Sequence, residues 1–406
     1  MRRDALIAVA LLVAGWALTL WVPPWSDDSI GDLFVYSSFA QPVLDGGLPY
    51  RDVAFEYPPL AAAAIALPGL AGTEEEAFRW AFAAWTLAAA AAVVLLCGAL
   101  ARATGGDARR AMLAAALMPV ACGALLRTHF DLFPVALLLA GLLLLCRDRP
   151  RAGLAVLALG AMTKGFPLVA VPVALAWLLA RGLRREAWQG ALACLAAMAV
   201  VGGAALAAWP DGALDAVRYH LDRPVQVESS PALVLLGLDA VGLGEAESVA
   251  SHRSDGLLHP ADGTVTSLFT AALGALIALL CASVARTTNR IDLLIAGLSA
   301  CVAFALLGRV LSPQFVIWAL PLGALAFAWR MNTLAAAVAL AAVLTQIEFP
   351  AHYFDVVARE PAAIGLVALR NLALLAVLVL SVRVLRPRRQ EQLLDRGRAA
   401  LAVHVD

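Results

Sequence analysis

Long apolar runs separated by short polar connections dominate the chain. The first extends from Ala5 to Val22, behind Met1-Arg2-Arg3-Asp4, and ends in Trp21-Val22-Pro23-Pro24-Trp25. A helix needs about 20 residues to cross a bilayer core, and tryptophans gather at its interfaces. The run has no small-residue cleavage site, so it reads as a retained first span. Further spans are expected over 79–100, 111–126, 131–146, 152–163, 166–180, 187–208, 263–285, 291–307, 313–329, 333–349 and 362–383. The pattern predicts an all-α, polytopic transmembrane helical bundle of about 11–13 spans.

The polar positions give this bundle a direction. Arginines gather in alternate, short connections, among them Arg147, Arg149, Arg151, Arg181, Arg184 and Arg185, and in the C-terminal stretch Arg386–Arg398. By the positive-inside rule these face the cytoplasm, as do both termini, in a multi-pass plasma-membrane protein. Carboxylates concentrate on the opposite side, where two long loops lie, 23–78 and 209–262. Long loops inside a compact protein usually carry function. The expected organisation is one transmembrane domain over 1–383 and a basic cytoplasmic tail over 384–406. Residues 152–180 are flanked by arginines at both ends yet are too short for two full spans. They read as a short hairpin with Thr163-Lys164-Gly165-Phe166-Pro167 at its tip.

Composition narrows the classes. The chain has 406 residues, 62% hydrophobic and 15% charged. Its mean hydropathy is +0.83. These figures exclude a soluble domain, a disordered chain and a disulfide scaffold. Thirty basic and thirty acidic residues cancel, which argues against nucleic acid as a partner. The six cysteines all sit in apolar runs and read as buried hydrophobes. No phosphate-binding glycine loop or H-E-x-x-H motif is present, and His252, His259 and Asp262 lack metal-site spacing, so no metal site and no cofactor are expected. Residues 239–262, polar and rich in Gly and Ser, read as a mobile loop.

Candidate chemistry lies mainly in the outer loops. Residues 32–44 form an amphipathic pattern with Asp32, Tyr36, Phe39 and Val43 on one face, stopped by Gly46-Gly47. Such a helix lies along the membrane surface. Asp32 has two readings: the second half of a capping box with Ser29, or a general base beside a surface pocket. Asp27 and Asp28 read as solvated loop acids. Glu56 precedes the rigid Tyr57-Pro58-Pro59 and reads as a loop acid or a site residue. Arg127 and His129, in the turn Arg127-Thr128-His129-Phe130-Asp131, are either interfacial or placed to meet a phosphate. Lys164 is the sole lysine. At membrane depth such a residue is either functional or a snorkelling anchor. Arg218, His220, Arg223 and Glu228 stand in the second long loop, the arginines as phosphate contacts or a solvated face and Glu228 as an acceptor for sugar hydroxyls. Arg309, Ser312 and Gln314 stand where a late span meets the outer surface.

The order D-L-F-V-Y, L-D-G-G-L-P-Y-R-D, F-E-Y-P-P-L from residue 32 onward resembles the first outer loop of glycosyltransferase family 87, within the GT-C superfamily of polytopic glycosyltransferases. T-K-G-F-P-L, R-Y-H-L-D-R-P-V-Q-V-E-S-S and R-V-L-S-P-Q-F-V-I-W-A-L-P-L follow in the same order. The resemblance implies a GT-C-type bundle and inverting transfer of a hexose, mannose foremost. The donor it implies is a polyprenyl-phosphate sugar, and the acceptor a glycolipid or glycan hydroxyl, at the outer face of the bilayer. It assigns the catalytic base to Asp32. The alternative from another class is a transporter or flippase of a lipid-linked envelope precursor.

Overall fold

The computed structural model describes residues 2–402, with side chains through Leu385. The side chains of the basic stretch Arg386–Arg398 lie outside the described residues.

The chain is an all-α polytopic bundle. Among the described residues, six helices are long and apolar enough to cross a membrane: Arg2–Trp21, Glu75–Ala103, Arg184–Ala208, Asp262–Val284, Arg290–Leu307 and Pro361–Leu385. Between them stand shorter apolar helices, including Leu132–Cys146, Pro150–Thr163, Ala170–Ala180 and Asn332–Glu348. The boundaries follow local chemistry. Asp107 caps one helix by accepting from the amides of Arg109 and Arg110, and Asn289 caps Arg290–Leu307 through the amide of Ile291. The run expected over 111–126 is instead three short helices, Ala108–Ala116, Met118–Cys122 and Leu125–Thr128. Pro119 cannot donate into a continuing helix, and Gly123 takes a left-handed φ of 53°, which turns the chain.

Arg290–Leu307 is buried along almost its whole length and forms the centre of the main core. A second core of Tyr36, Phe39, Phe55, Phe78, Phe82 and Phe130 folds the first long loop onto the bundle. Within it, helix Leu33–Leu44 buries the expected face through Tyr36 and Phe39, and Gly46 at φ 93° ends it. The amide of Leu60 donates to the carbonyl of Met162 at 2.9 Å, tying this loop to the hairpin that carries Lys164.

The segment read as a mobile loop is ordered. Three short strands, β1 (Val225–Gln226), β2 (Glu247–Ser251) and β3 (Ser254–Leu258), pair antiparallel in the order β1-β3-β2. Val225 and Leu257 face each other in the ladder and bury against Ala232, Leu235 and Val265. That small core, assembled from residues far apart in sequence, stabilises a hairpin whose local composition suggested none.

Candidate active site

Where the two long loops meet the bundle there is a cavity of about 530 Å³. Residues of the first long loop, among them Asp32, Val35, Glu56 and Tyr57, of the second, among them His220, Arg223, Gln226, Glu228 and Arg253, and of the connection at 308–315 line it. His129 and Lys164 reach it from the bundle.

Asp32 starts helix Leu33–Leu44, but its side chain caps no amide of that helix. The Ser29 hydroxyl donates instead to Asp27 at 2.7 Å. The capping-box reading is therefore set aside. The Asp32 carboxylate accepts from the Tyr36 hydroxyl at 3.0 Å, and its Oδ2 lies 3.6 Å from His129 Nε2. About a third of the side chain remains exposed. Burial pushes the Tyr36 hydroxyl well above its ordinary range, which keeps it a donor to Asp32. His129 Nδ1 lies 2.9 Å from Thr128 Oγ1 and 3.3 Å from the Leu125 carbonyl. The Thr128 hydroxyl donates to the Ala124 carbonyl. Both neighbours of Nδ1 are thus acceptors, so the network assigns Nδ1 a proton and turns Nε2 to Asp32.

Lys164 is held more tightly than its sequence context implied. Its ammonium donates to both oxygens of Asp131 at 2.8 Å, and Trp318 Nε1 donates to the same carboxylate at 2.7 Å. Asp131 is wholly buried. The ammonium lies 4.9 Å from the centre of Phe130 and 5.3 Å from that of Phe315. Phe315 and Phe166 both stack on Trp318. Most of the lysine charge is therefore balanced inside the protein.

Two further cations share the cavity with Asp32. Arg223 and Arg309 line it. Arg309 donates to the Leu221 carbonyl at 2.5 Å, which sets it beside the segment carrying Arg223. The buried Nε of Arg223 has no hydrogen-bond partner among the described residues. Glu56, largely buried, pairs with Arg253 at 3.3 Å. Burial raises the Glu56 carboxyl above its ordinary value, and Arg253 opposes that rise. His220 Nε2 is 2.8 Å from the Glu56 carbonyl, and burial lowers this histidine below its ordinary range. Gln314 and Glu228 also line the cavity. Helix Pro210–Asp222, which carries His220, packs so closely on the Tyr50 carbonyl that only a glycine fits at Gly212.

Two expected contacts lie elsewhere. Arg127 does not line the cavity; its guanidinium is buried and donates to the Thr19 and Ser26 carbonyls and to Asp28. It is a clamp between the first span and the loop above it. Asp28, expected as a solvated acid, is the partner of both Arg127 and Arg79. Arg218 points to solvent and pairs with Asp215 one helical turn away. The sequence reading missed Asp131, Arg253, Gln226, Tyr353, Glu348 and Arg370. Glu348 and Arg370 carried a usable signal, because each is an ionisable residue inside an apolar run.

Among the described residues no group of three or more His, Cys, Asp or Glu is disposed to hold a metal ion. The chain is similar to the crystal structure of the Archaeoglobus fulgidus oligosaccharyltransferase in its apo form, at 13% identity and a TM-score of 0.45. The match covers 93% of this chain and 55% of that one, so the chain spans about half the length of that structure. No curated protein matches. The family model described as Glycosyltransferase family 87 matches residues 55–313, a stretch that includes the Glu56, Lys164, Arg223 and Arg309 walls of the cavity and begins after Asp32. A multi-pass membrane protein whose two long loops close over this cavity, the chain belongs to glycosyltransferase family 87.

Proposed function

We propose that the protein transfers a hexose, mannose in the first instance, from a polyprenyl-phosphate donor to a hydroxyl of a glycolipid or glycan. The cavity opens at the extracytoplasmic face of the plasma membrane, with both termini cytoplasmic, as the arginine distribution indicates. The observation that carries this reading is one cavity holding a carboxylate, Asp32, and the cations Lys164, Arg223 and Arg309.

Each group has a task. Asp32 takes the proton of the acceptor hydroxyl as its oxygen attacks the anomeric carbon. Attack opposite the departing phosphate inverts that carbon. The carbon–oxygen bond to the lipid phosphate breaks, and its electron pair leaves with the phosphate. Arg223 and Arg309 meet that charge as fixed donors in a shielded site. Lys164, already paired with Asp131, adds at most the remaining N–H of its ammonium. Glu56, Glu228 and Gln314 face the sugar hydroxyls, and the Tyr36 hydroxyl, which donates to Asp32, orients that carboxylate. A general base contributes roughly 10²–10⁴-fold.

The test is purified protein in lipid nanodiscs with polyprenyl-phosphate-mannose and a membrane-lipid extract, followed by mass analysis. A product heavier by one hexose is expected, and Asp32→Asn lowers its rate by roughly 10²–10⁴-fold without loss of folded protein. Transfer at the normal rate by Asp32→Asn would refute the base; movement of lipid-linked sugar across the bilayer with no covalent product would refute the transferase.

A further inference from the structure

Behind the Gln226 wall of the cavity lies a buried charge cluster of which the proposed reaction uses only the Glu228 edge. Arg370, from helix Pro361–Ala402, donates to Glu348 at 2.8 Å and stands 3.6 Å from Glu228 Oε1. The three side chains are at most 1% exposed. Arg370 and Asn371 also donate to the Glu228 backbone carbonyl. Glu228 Oε2 accepts from the Gln226 amide at 2.9 Å, and Gln226 Oε1 accepts from the Ser312 hydroxyl at 3.1 Å. Gln226, Glu228 and Ser312 all line the cavity.

The count of charges and donors does not close with two carboxylates. One guanidinium faces two buried carboxyl groups, and an unbalanced buried charge is strongly unfavourable. The atoms left over match: Glu228 Oε1 and Glu348 Oε1 are both buried and both lack a hydrogen-bond partner. Among the described residues no side-chain donor makes a hydrogen bond to either oxygen. Tyr353, which also lines the cavity, gives its hydroxyl to Asp255 of β3 at 2.7 Å. A single proton between the two carboxyls satisfies both oxygens and makes the cluster neutral. We infer that Glu228 and Glu348 share one proton above Arg370, and that this acid–carboxylate pair positions the Gln226–Ser312 wall that reads the sugar hydroxyls. Burial, with the charge of Glu348 second, raises the Glu228 carboxyl well above its ordinary range, while Arg370 opposes the rise. Glu348 is thus a positioning residue that acts through Glu228. The role of the wall rests on the proposed sugar transfer; the shared proton does not.

Infrared spectra of the full-length protein in nanodiscs, compared with Glu348→Gln and Glu228→Gln, test the proton directly. A buried carboxylic-acid carbonyl band is expected in the wild type and is absent from both variants. Glu348→Gln replaces the shared proton with an amide N–H, so it keeps the fold and a donor to Glu228. Glu348→Ala leaves Glu228 without that donor and raises the KM for the sugar donor about tenfold, the effect of about 1.4 kcal/mol, with kcat little changed. Glu348→Gln restores the KM towards wild type. A wild-type spectrum without the band, or a Glu348→Gln protein that unfolds or binds as poorly as Glu348→Ala, overturns the inference. If no form transfers sugar at all, the proposed function fails while the infrared comparison still decides the shared proton.

Discussion

Replacing Lys164 with Met removes the ammonium that neutralises Asp131 while keeping most of the side-chain volume. Asp131 has no exposure, and Lys164 itself is 15% exposed. Removing one partner of a buried ion pair costs about 3–5 kcal/mol, because the other charge is left uncompensated. Trp318 still donates to Asp131 at 2.7 Å, and the lysine side of the pair borders the cavity. The loss should therefore sit near the lower end, about 3 kcal/mol. The compensating double variant, Lys164→Met with Asp131→Leu, removes both charges and recovers most of that loss, since apolar replacements of buried pairs are often close to neutral. Equilibrium unfolding in mixed micelles for the wild type, both single variants and the double variant yields the coupling directly. A Lys164→Met protein within about 1 kcal/mol of wild type would refute the reasoning. It would mean that water already screens the pair and that the ammonium is available to the substrate as a full charge.

The two arginines that the structure separates from the cavity should behave differently from those within it. Arg127→Ala leaves two carbonyls without their donor, while Asp28 keeps Arg79, and should lower stability by about 2 kcal/mol, with activity per folded molecule retained, as thermal unfolding and product mass analysis will show. Arg218→Ala should change stability by no more than about 0.5 kcal/mol and leave transfer unaltered, because its side chain is 66% exposed. Arg223→Ala should raise the KM for the lipid donor, and a titration of donor binding that shows no weakening would count against the phosphate assignment. The lowered His220 contributes stability that is present above its ordinary value of 6.5 and is lost as pH falls through its lower folded value; His220→Gln should flatten that acid limb in thermal unfolding.

The helical bundle was legible along the chain because hydrophobic periodicity is a local property. The expected spans 131–146, 291–307 and 333–349 coincide within a residue with helices Leu132–Cys146, Arg290–Leu307 and Asn332–Glu348. The amphipathic face of residues 32–44 was equally local, and it placed Tyr36 and Phe39 in the core. The same reading selected Asp32, Glu56, His129, Lys164, Arg223, Glu228, Arg309 and Gln314, which the tertiary structure brings to one cavity. It failed where the partner decides. Arg127 and Arg309 look alike as arginines at turns beside apolar runs, yet one is sealed against Asp28 and the other lines the cavity. The strand pair Glu247–Ser251 and Ser254–Leu258 escaped notice because Val225, from another part of the loop, supplies the surface it needs. Arg370 and Glu348 meet Glu228 only because the loop that carries Glu228 packs against two helices far later in the chain. Hydropathy fixes which segments leave water, since each residue's transfer energy depends on itself and its near neighbours. Which charge faces which is set by contacts between remote segments, and these exist only once the bundle has formed.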